Sequence, residues 1–137
     1  MKTVLVFGTF DVIHPGHKYF LEKAAAEGDR LVAVIARDEF VMKTKNRKPV
    51  HEESERISHI LESGLVDEAF LSDEKTGTFE VVEKVNPQVV CFGHDQNKLA
   101  DSFAKWLNSK KLGIKIVTVE PYKRDRYSST LRNKIHY

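Results

Sequence analysis

The sequence predicts an α/β protein built on a doubly wound, five-stranded parallel sheet with helices on both faces. Five short apolar runs are separated by longer stretches with helical spacing, and this alternation is typical of a parallel sheet. The runs are continuously apolar rather than alternately apolar and polar, as strands covered on both faces require. Right-handed crossovers between such strands give a Rossmann-like architecture.

The elements follow from these patterns in chain order, beginning with the buried run Val4–Phe7 and the helical spacing of Tyr19–Ala26. The predicted strands are Thr3–Phe7, Leu31–Ala36, Glu68–Leu71, Val89–Phe92 and Ile114–Val119. The predicted helices are Pro15–Glu27, Glu52–Ser63, Thr78–Val85, Asn97–Lys111 and Ser128–Ile135. Gly28 and Gly64 are expected helix C-caps. Ligands of such sheets bind beyond the carboxyl ends of the strands, so we expect the site in the loops after the first, second, fourth and fifth strands.

Composition narrows the classes of function. The chain has 137 residues, 41% apolar and 31% charged, which predicts a single domain over residues 1–137. A net charge of +2 gives little reason to expect a nucleic-acid partner, and no apolar run approaches the roughly 20 residues of a membrane span. The single cysteine, Cys91, excludes an internal disulfide framework and fits a reducing, cytoplasmic location.

The stretch Gly8–His17, with the sequence GTFDVIHPGH, lies where the first strand hands over to the first helix. Backbone N–H groups and the helix dipole make a helix N-terminus attractive to anions. Gly16 allows a phosphate to approach the backbone closely, and His14 and His17 are expected to project from one face of the first turn. The stretch therefore predicts a binding site for nucleotide phosphates.

Alternatives exist for each of these residues. The histidines could be a structural pair or a metal site, but metal needs further ligands and only Asp11 is evident nearby, so no dedicated metal site is predicted. Thr9 and Phe10 are expected to offer backbone N–H groups to phosphate, against the alternative of a plain turn. Asp11 could orient a histidine, reach magnesium through water, or cap the following turn.

The sequence GTFDVIHPGH resembles the signature of HxGH-type nucleotidyltransferases, which join a nucleotide to a phosphorylated acceptor and release pyrophosphate. The resemblance extends through Ala36–Glu39, Lys45–Pro49, Gly93–Gln96 and Ser128–Thr130, and so covers almost the whole chain. It implies that His14 and His17 stabilise charge on the α-phosphoryl oxygens, and that Pro15 and Gly16 belong to the nucleotide site.

The resemblance also assigns roles to basic residues farther along the chain. A mobile loop at Lys43–Lys48 would close over the triphosphate, with Lys45 catalytic and Lys43 the second choice; a solvated charge run is the alternative. Asp11, Asp38 and Arg56 would bind the acceptor, although a surface salt bridge from Arg56 to a neighbouring glutamate is also open.

Two further segments are implied to hold the nucleotide. Gly93 and Asp95 follow the fourth strand, where Asp95 would accept a hydrogen bond from a ribose hydroxyl; an ordinary strand-end turn is the alternative. The start of the last helix would form a second phosphate cradle. Its predicted nucleotide-binding residues are Lys123, Ser128, Ser129 and Thr130.

Within this family the sequence is most similar to archaeal-type FAD synthases, which share the runs GTFDxxHPGH, ARDE, KxRKP and GxDQ. That similarity implies transfer of AMP from ATP to the phosphate of FMN, with Mg²⁺ or another divalent cation on the triphosphate. The acceptor phosphate has a second pKa of about 6, so direct in-line attack needs no general base. Glycerol-3-phosphate cytidylyltransferase, an adenylyltransferase acting on heptose phosphate, and a nucleotide-binding sensor without turnover remain alternatives. The expected partners are small molecules, with a homodimer compatible with the family.

Overall fold

The computed structural model describes residues 1–75 and 77–122. The predicted helix Ser128–Ile135 lies outside these residues, as do Lys123, Ser128, Ser129 and Thr130. The described strands are β1 (Thr3–Gly8), β2 (Arg30–Ile35), β3 (Glu68–Leu71), β4 (Val89–Gly93) and β5 (Lys115–Val119). The described helices are α1 (Pro15–Ala25), α2 (Asp38–Lys45), α3 (Glu53–Glu62), α4 (Glu80–Val85) and α5 (Asn97–Lys110).

The five strands form one parallel sheet in the order β3-β2-β1-β4-β5, which confirms the predicted fold class. The direction of strand order reverses between β1 and β4, so the crevice between these two strands is the switch point at which such sheets bind ligands. Residues of the central strands β1, β2 and β4 are almost all buried, whereas β3 and β5 at the edges are partly exposed.

Helices cover both faces of the sheet because successive β1 side chains point in opposite directions. Val4 and Val6 pack in a core with residues of α1 and α3 such as Leu21 and Ile60. Leu5 and Phe7 pack on the other face with residues of α4 and α5, including Val82 and Phe103. Within the described residues, no helix is long and apolar enough to cross a membrane.

Helix α2 corrects the sequence analysis, which placed Lys43 and Lys45 in a mobile loop. Both residues lie in the last turn of α2, and the loop begins only after Asn46, whose φ of +54° closes the helix. Acidic residues in the first turn and lysines in the last turn complement the helix dipole. The helix buries only Val41, so it lacks the periodic apolar face by which helices are recognised in a sequence.

The two predicted glycine caps have different outcomes. Gly64 follows α3 with φ +75° and donates its N–H to the carbonyl of Leu61 at 3.2 Å, which confirms the predicted cap. The prediction for Gly28 is wrong, because α1 ends earlier, with Ala26 as its C-cap. A Cβ at position 28 would come within 2.7 Å of the Lys2 carbonyl oxygen, so the glycine is needed for close backbone approach.

Candidate active site

His14 is the N-cap of α1, whereas the sequence predicted that it would lie in the first turn of the helix. Its Nδ1 accepts hydrogen bonds from the backbone N–H groups of Gly16 (3.1 Å) and His17 (3.4 Å). In return, Nδ1 of His17 accepts from the backbone N–H of His14 at 3.4 Å. The rings stack with their centroids 3.8 Å apart. The pair is therefore a reciprocal capping box made of two imidazoles, with Pro15 as the first helical residue.

Both imidazoles are neutral at pH 7. Burial lowers the pKa of His14 below its usual value of 6.5. Burial first, and then the charge of His14, lower the pKa of His17 to about 4, while a hydrogen bond with the Val12 backbone opposes this decrease. A ring nitrogen that accepts a hydrogen bond carries no proton, so the proton of the neutral His14 ring lies on Nε2. An uncharged N–H group of this kind can stabilise charge that develops on a phosphoryl oxygen.

Phe10 adopts a strained backbone conformation beside the histidines. Its φ of +49° lies in the left-handed region, which costs a residue other than glycine about 1–3 kcal/mol. The ring is buried and meets His17 edge-on, with centroids 5.2 Å apart. It also lies over Gly8, where a Cβ would come within 2.5 Å of the ring. The left-handed turn and the glycine together allow the Phe10 ring to support the histidine pair.

Arg56 is fully buried in α3 and contacts three separate segments. Its Nη1 donates to the carbonyl oxygen of Thr9 at 2.8 Å, and its Nε donates to the carbonyl oxygen of His51 at 3.1 Å. Its Nη2 donates to Oδ1 of Asp38 at 2.7 Å. The expected alternative, a surface salt bridge to Glu52 or Glu53, is therefore wrong. The contact of Arg56 with an acceptor stays a prediction.

Asp11 and Asp38, the other predicted acceptor ligands, also bind protein groups. Asp11 accepts hydrogen bonds from the backbone N–H groups of Val50 (2.6 Å) and His51 (2.8 Å), so it caps a distant segment rather than the following turn. The backbone N–H of Asp38 donates to Glu53 Oε1 at 2.8 Å, and Asp38 Oδ2 accepts from the backbone N–H of Glu53 at 3.2 Å. These contacts join the starts of α2 and α3 to the end of β1.

The two lysines of α2 differ in their surroundings. The positive charge of Lys45 is one of the causes that lower the pKa of His17, so the carboxyl end of α2 lies within electrostatic range of the histidine pair. Lys43 forms an exposed ion pair with Glu39 at 3.4 Å. The catalytic role of Lys45 stays a prediction.

The loop after β4 lies on the other side of β1. Asp95 is exposed, and its carboxylate lies beside Gly93, where an added Cβ would be 3.0 Å from Oδ1. Gln96, which is not among the predicted site residues, bridges β1 and β4. Its Oε1 accepts from the Gly93 N–H at 2.8 Å, and its Nε2 donates to the Phe7 carbonyl oxygen at 2.8 Å. The sequence signal that could have identified Gln96 is its position as an amide side chain shortly after the buried strand β4.

The described residues thus bring the ends of β1, β2 and β4 to one edge of the sheet. Thr9, Phe10 and His14 lie in the loop between β1 and α1 (residues 9–14, the β1 turn), and Gly16 and His17 follow it in the first turn of α1. Across residues 1–75 and 77–122, no group of three or more His, Cys, Asp or Glu residues is placed to hold a metal ion. This arrangement can bind an anionic substrate through N–H groups and lysine.

Comparisons with known proteins find relatives that match most of this chain. Residues 5–134 match the family model described as cytidylyltransferase-like. The chain is 38% identical over 135 residues to the FAD synthase of Methanothermobacter thermautotrophicus, covering 96% of this chain and 88% of that protein. It is 39% identical over 119 residues to the FAD synthase of Methanosarcina acetivorans, covering 87% and 77% of the two chains. A solved structure, the lipopolysaccharide core biosynthesis protein of Thermoplasma volcanium, superimposes with a TM-score of 0.81 at 31% identity and covers 90% of this chain and 99% of that one.

Proposed function

The chain belongs to the cytidylyltransferase-like family, and on that premise we propose that it transfers AMP from ATP to the phosphate of FMN, giving FAD and pyrophosphate. The observation that carries this proposal is the match to archaeal FAD synthases over nearly the whole length of both chains. The histidine pair at the start of α1 supports it, because adenylyl transfer requires donors at the oxygens of the α-phosphoryl group.

In the proposed reaction, a phosphate oxygen of FMN attacks the α-phosphorus of ATP in line with the departing pyrophosphate. The new P–O bond joins the two nucleotides, and the bond from the α-phosphorus to the bridging oxygen breaks, so both bonding electrons leave with pyrophosphate. The imidazole rings of His14 and His17 hold the α-phosphoryl oxygens, and Lys45 neutralises charge on the pyrophosphate. The FMN phosphate is already mostly dianionic at pH 7, since its second pKa is near ~6, and it needs no base.

We assign the two sides of the β1 turn to the two substrates. Gly93 and Asp95 follow β4 on one side and suit the ribose of ATP. The acceptor then lies on the β2 side, where Val12 (54% exposed) and Val50 (69% exposed) stand on segments that Asp11 joins. Exposed valines offer the apolar contact that the flavin ring needs.

This site suits a divalent metal ion that arrives bound to the triphosphate of ATP. The carboxylate of Asp11 already accepts two backbone hydrogen bonds, and the described residues hold no cluster of metal ligands. Mg²⁺ prefers substrate phosphates and water over a cage of protein ligands. When bound, it would neutralise charge on the pyrophosphate group that leaves.

The second candidate is adenylyl transfer to a sugar phosphate, because the Thermoplasma relative is named for lipopolysaccharide core biosynthesis. Whichever acceptor is used, we expect only small-molecule partners and a cytoplasmic location. A homodimer remains a prediction, which analytical ultracentrifugation can test.

The test incubates the purified protein with Mg²⁺ and either ATP or CTP, against FMN, glycerol-3-phosphate and heptose-1-phosphate. Pyrophosphate release is followed, and the products are identified by mass spectrometry. FAD formed from ATP and FMN alone is the expected result. CDP-glycerol or ADP-heptose as the main product would overturn the acceptor, and the absence of pyrophosphate with every pair would overturn the enzyme assignment.

A further inference from the structure

We propose that Arg56 is a positioning residue, which aligns the Thr9–Phe10 peptide with the lysine-bearing helix α2 without contacting either substrate. The proposal rests on nucleotidyl transfer at this site. It gives Arg56 a role different from the acceptor contact that the sequence suggested, because the guanidinium is 0% exposed and each of its three nitrogens donates to a protein oxygen.

The first function of Arg56 is to orient the peptide between Thr9 and Phe10. In a trans peptide the C=O and the N–H point in opposite directions, and the structure contains no cis peptide among its described residues. Because the Thr9 carbonyl oxygen is held by Nη1 at 2.8 Å, the Phe10 N–H points away from the buried guanidinium. The same hydrogen bond holds the peptide that leads into the left-handed φ of Phe10. Arg56 therefore sets the direction of a predicted phosphate-binding N–H group.

The second function is to fix where α2 and the following segment begin and end. Asp38 is the first residue of α2 and accepts from Nη2, while His51 closes the loop and accepts from Nε. Asp11 holds the same end of the loop through two backbone N–H groups. The chain from Asp38 to His51, which carries Lys45, is thus anchored at both ends to the β1 turn. A guanidinium suits this task because its planar fork directs several donors at once.

The two functions couple Lys45 to the histidine pair. Lys45 lies seven positions after Asp38 in the same helix, and its charge acts on His17. Displacement of the anchored helix start would move the lysine relative to the phosphate site. Loss of the Arg56 contacts should therefore weaken the contribution of Lys45 to the reaction, and this coupling is measurable.

The test is a double-mutant cycle between Arg56→Lys and Lys45→Met. Arg56→Lys keeps the buried charge, but its N–H donors share one nitrogen and cannot span the three acceptors that the planar guanidinium reaches. We expect kcat to fall about 10- to 100-fold with the KM for FMN within about twofold of wild type. Lys45→Met should cost much less in the Arg56→Lys background than in wild type, since interacting residues are non-additive. Multiplicative effects would overturn the proposal, and so would an unchanged kcat with a raised KM for FMN, which would indicate an acceptor contact.

Two further variants serve as controls for folding defects, and a repeat of the cycle on ATP affinity makes the test independent of the acceptor. Arg30→Lys changes the Arg30–Glu68 pair, at the opposite ends of β2 and β3 from the site, and should leave kcat unchanged. Asp11→Asn keeps the side-chain shape and removes one anchor, so a several-fold loss of kcat that is again non-additive with Lys45→Met is expected. The cycle is repeated on the affinity for ATP, which needs no acceptor. Failure to form FAD would then count against the proposed acceptor, and additivity in ATP affinity against the positioning role.

Discussion

Two buried phenylalanines with the same unusual backbone, Phe10 and Phe79, lie on opposite faces of the sheet. Each has φ +49°, and their side chains are only 3% and 6% exposed. Phe79 packs edge-on against Phe7 and Phe103, with ring centroids 5.9 and 5.3 Å apart. Phe10 meets the ring of His17 instead. Both positions store strain that aromatic packing offsets, so strain alone does not mark the active site.

The polar surroundings distinguish the two turns. Asp73 closes the start of α4: it accepts from the Val81 N–H at 3.0 Å, and also from the Glu80 N–H and the Thr78 hydroxyl. A carboxylate at that position repels another anion. At the start of α1, neutral imidazoles take the place of the carboxylate, and a buried arginine holds the preceding peptide. A cap that carries donors and no negative charge suits a phosphate site better than a carboxylate cap does.

The largest difference between the turns should appear when the caps are removed. His14→Ala or His17→Ala should each lower kcat about 10²- to 10³-fold, because each removes a donor to the transition state. Asp73→Ala should lower the free energy of unfolding by roughly 0.5–2 kcal/mol, as loss of an N-cap does, with kcat within twofold of wild type. Steady-state FAD synthesis and urea unfolding of the three variants measure both quantities. Similar kcat losses in all three would contradict the distinction.

The two phenylalanines provide a matched comparison of smaller size. Phe10→Leu and Phe79→Leu should each destabilise the protein by roughly 1–2 kcal/mol, since both reduce ring packing in a core. Only Phe10→Leu should also lower kcat, by about tenfold, which equals about 1.4 kcal/mol of transition-state stabilisation. Thermal unfolding and kcat are measured for both. A comparable kcat loss in Phe79→Leu would mean that the effect is transmitted through general stability.

The lowered pKa of His17 predicts that the free energy of unfolding of the protein depends on pH. The pKa is about 4 in the folded protein against an ordinary value of 6.5, so the unfolded chain binds more protons between these values. The free energy of unfolding contributed by this residue is complete above about pH 6.5 and decreases as the pH falls toward about 4. Urea unfolding at several pH values from 4 to 7 gives the free energy of unfolding as a function of pH. This free energy should change less steeply with pH in His17→Gln than in wild type, and an equal dependence on pH would contradict the lowered pKa.

The smallest expected effect concerns Val12, in the loop after β1, and Val50, in the segment that Asp11 holds. Val12→Ser and Val50→Ser should each raise the KM for FMN about fivefold, equivalent to about 1 kcal/mol of lost apolar contact. The KM for ATP should not change, because the nucleotide is expected on the β4 side of β1. A change in the KM for ATP alone would place the acceptor elsewhere.

The fold was largely predictable because continuous apolar runs and helical spacing are local properties of the sequence. All five strands were located to within one residue at each end. Helix α2 was missed since its stability comes from charges at its ends and from the contacts of Asp38, while its single buried residue, Val41, gives no periodic pattern.

The site was predictable as a set of segments but not as a set of contacts. GTFDVIHPGH predicted a phosphate site at the start of α1 from local chemistry. The partners of Arg56 are 47, 18 and 5 residues away in sequence, and those of Asp11 are 39 and 40 residues away. Such distant pairings depend on how the loops meet above the sheet, which no local pattern encodes. The side chain of Gln96, bonded 89 residues away to Phe7, was overlooked for the same reason.

The most direct test of this account is the protonation state of the two histidines, measured by ¹⁵N NMR of the imidazole nitrogens across pH 4–8. The structure predicts that at pH 7 both rings are neutral, that the proton of His14 lies on Nε2, and that the pKa of His17 is about 4. A His17 ring that titrates near 6.5, or a His14 ring that carries its proton on Nδ1, would contradict it, because the α1 cap would then not present neutral donors to phosphate.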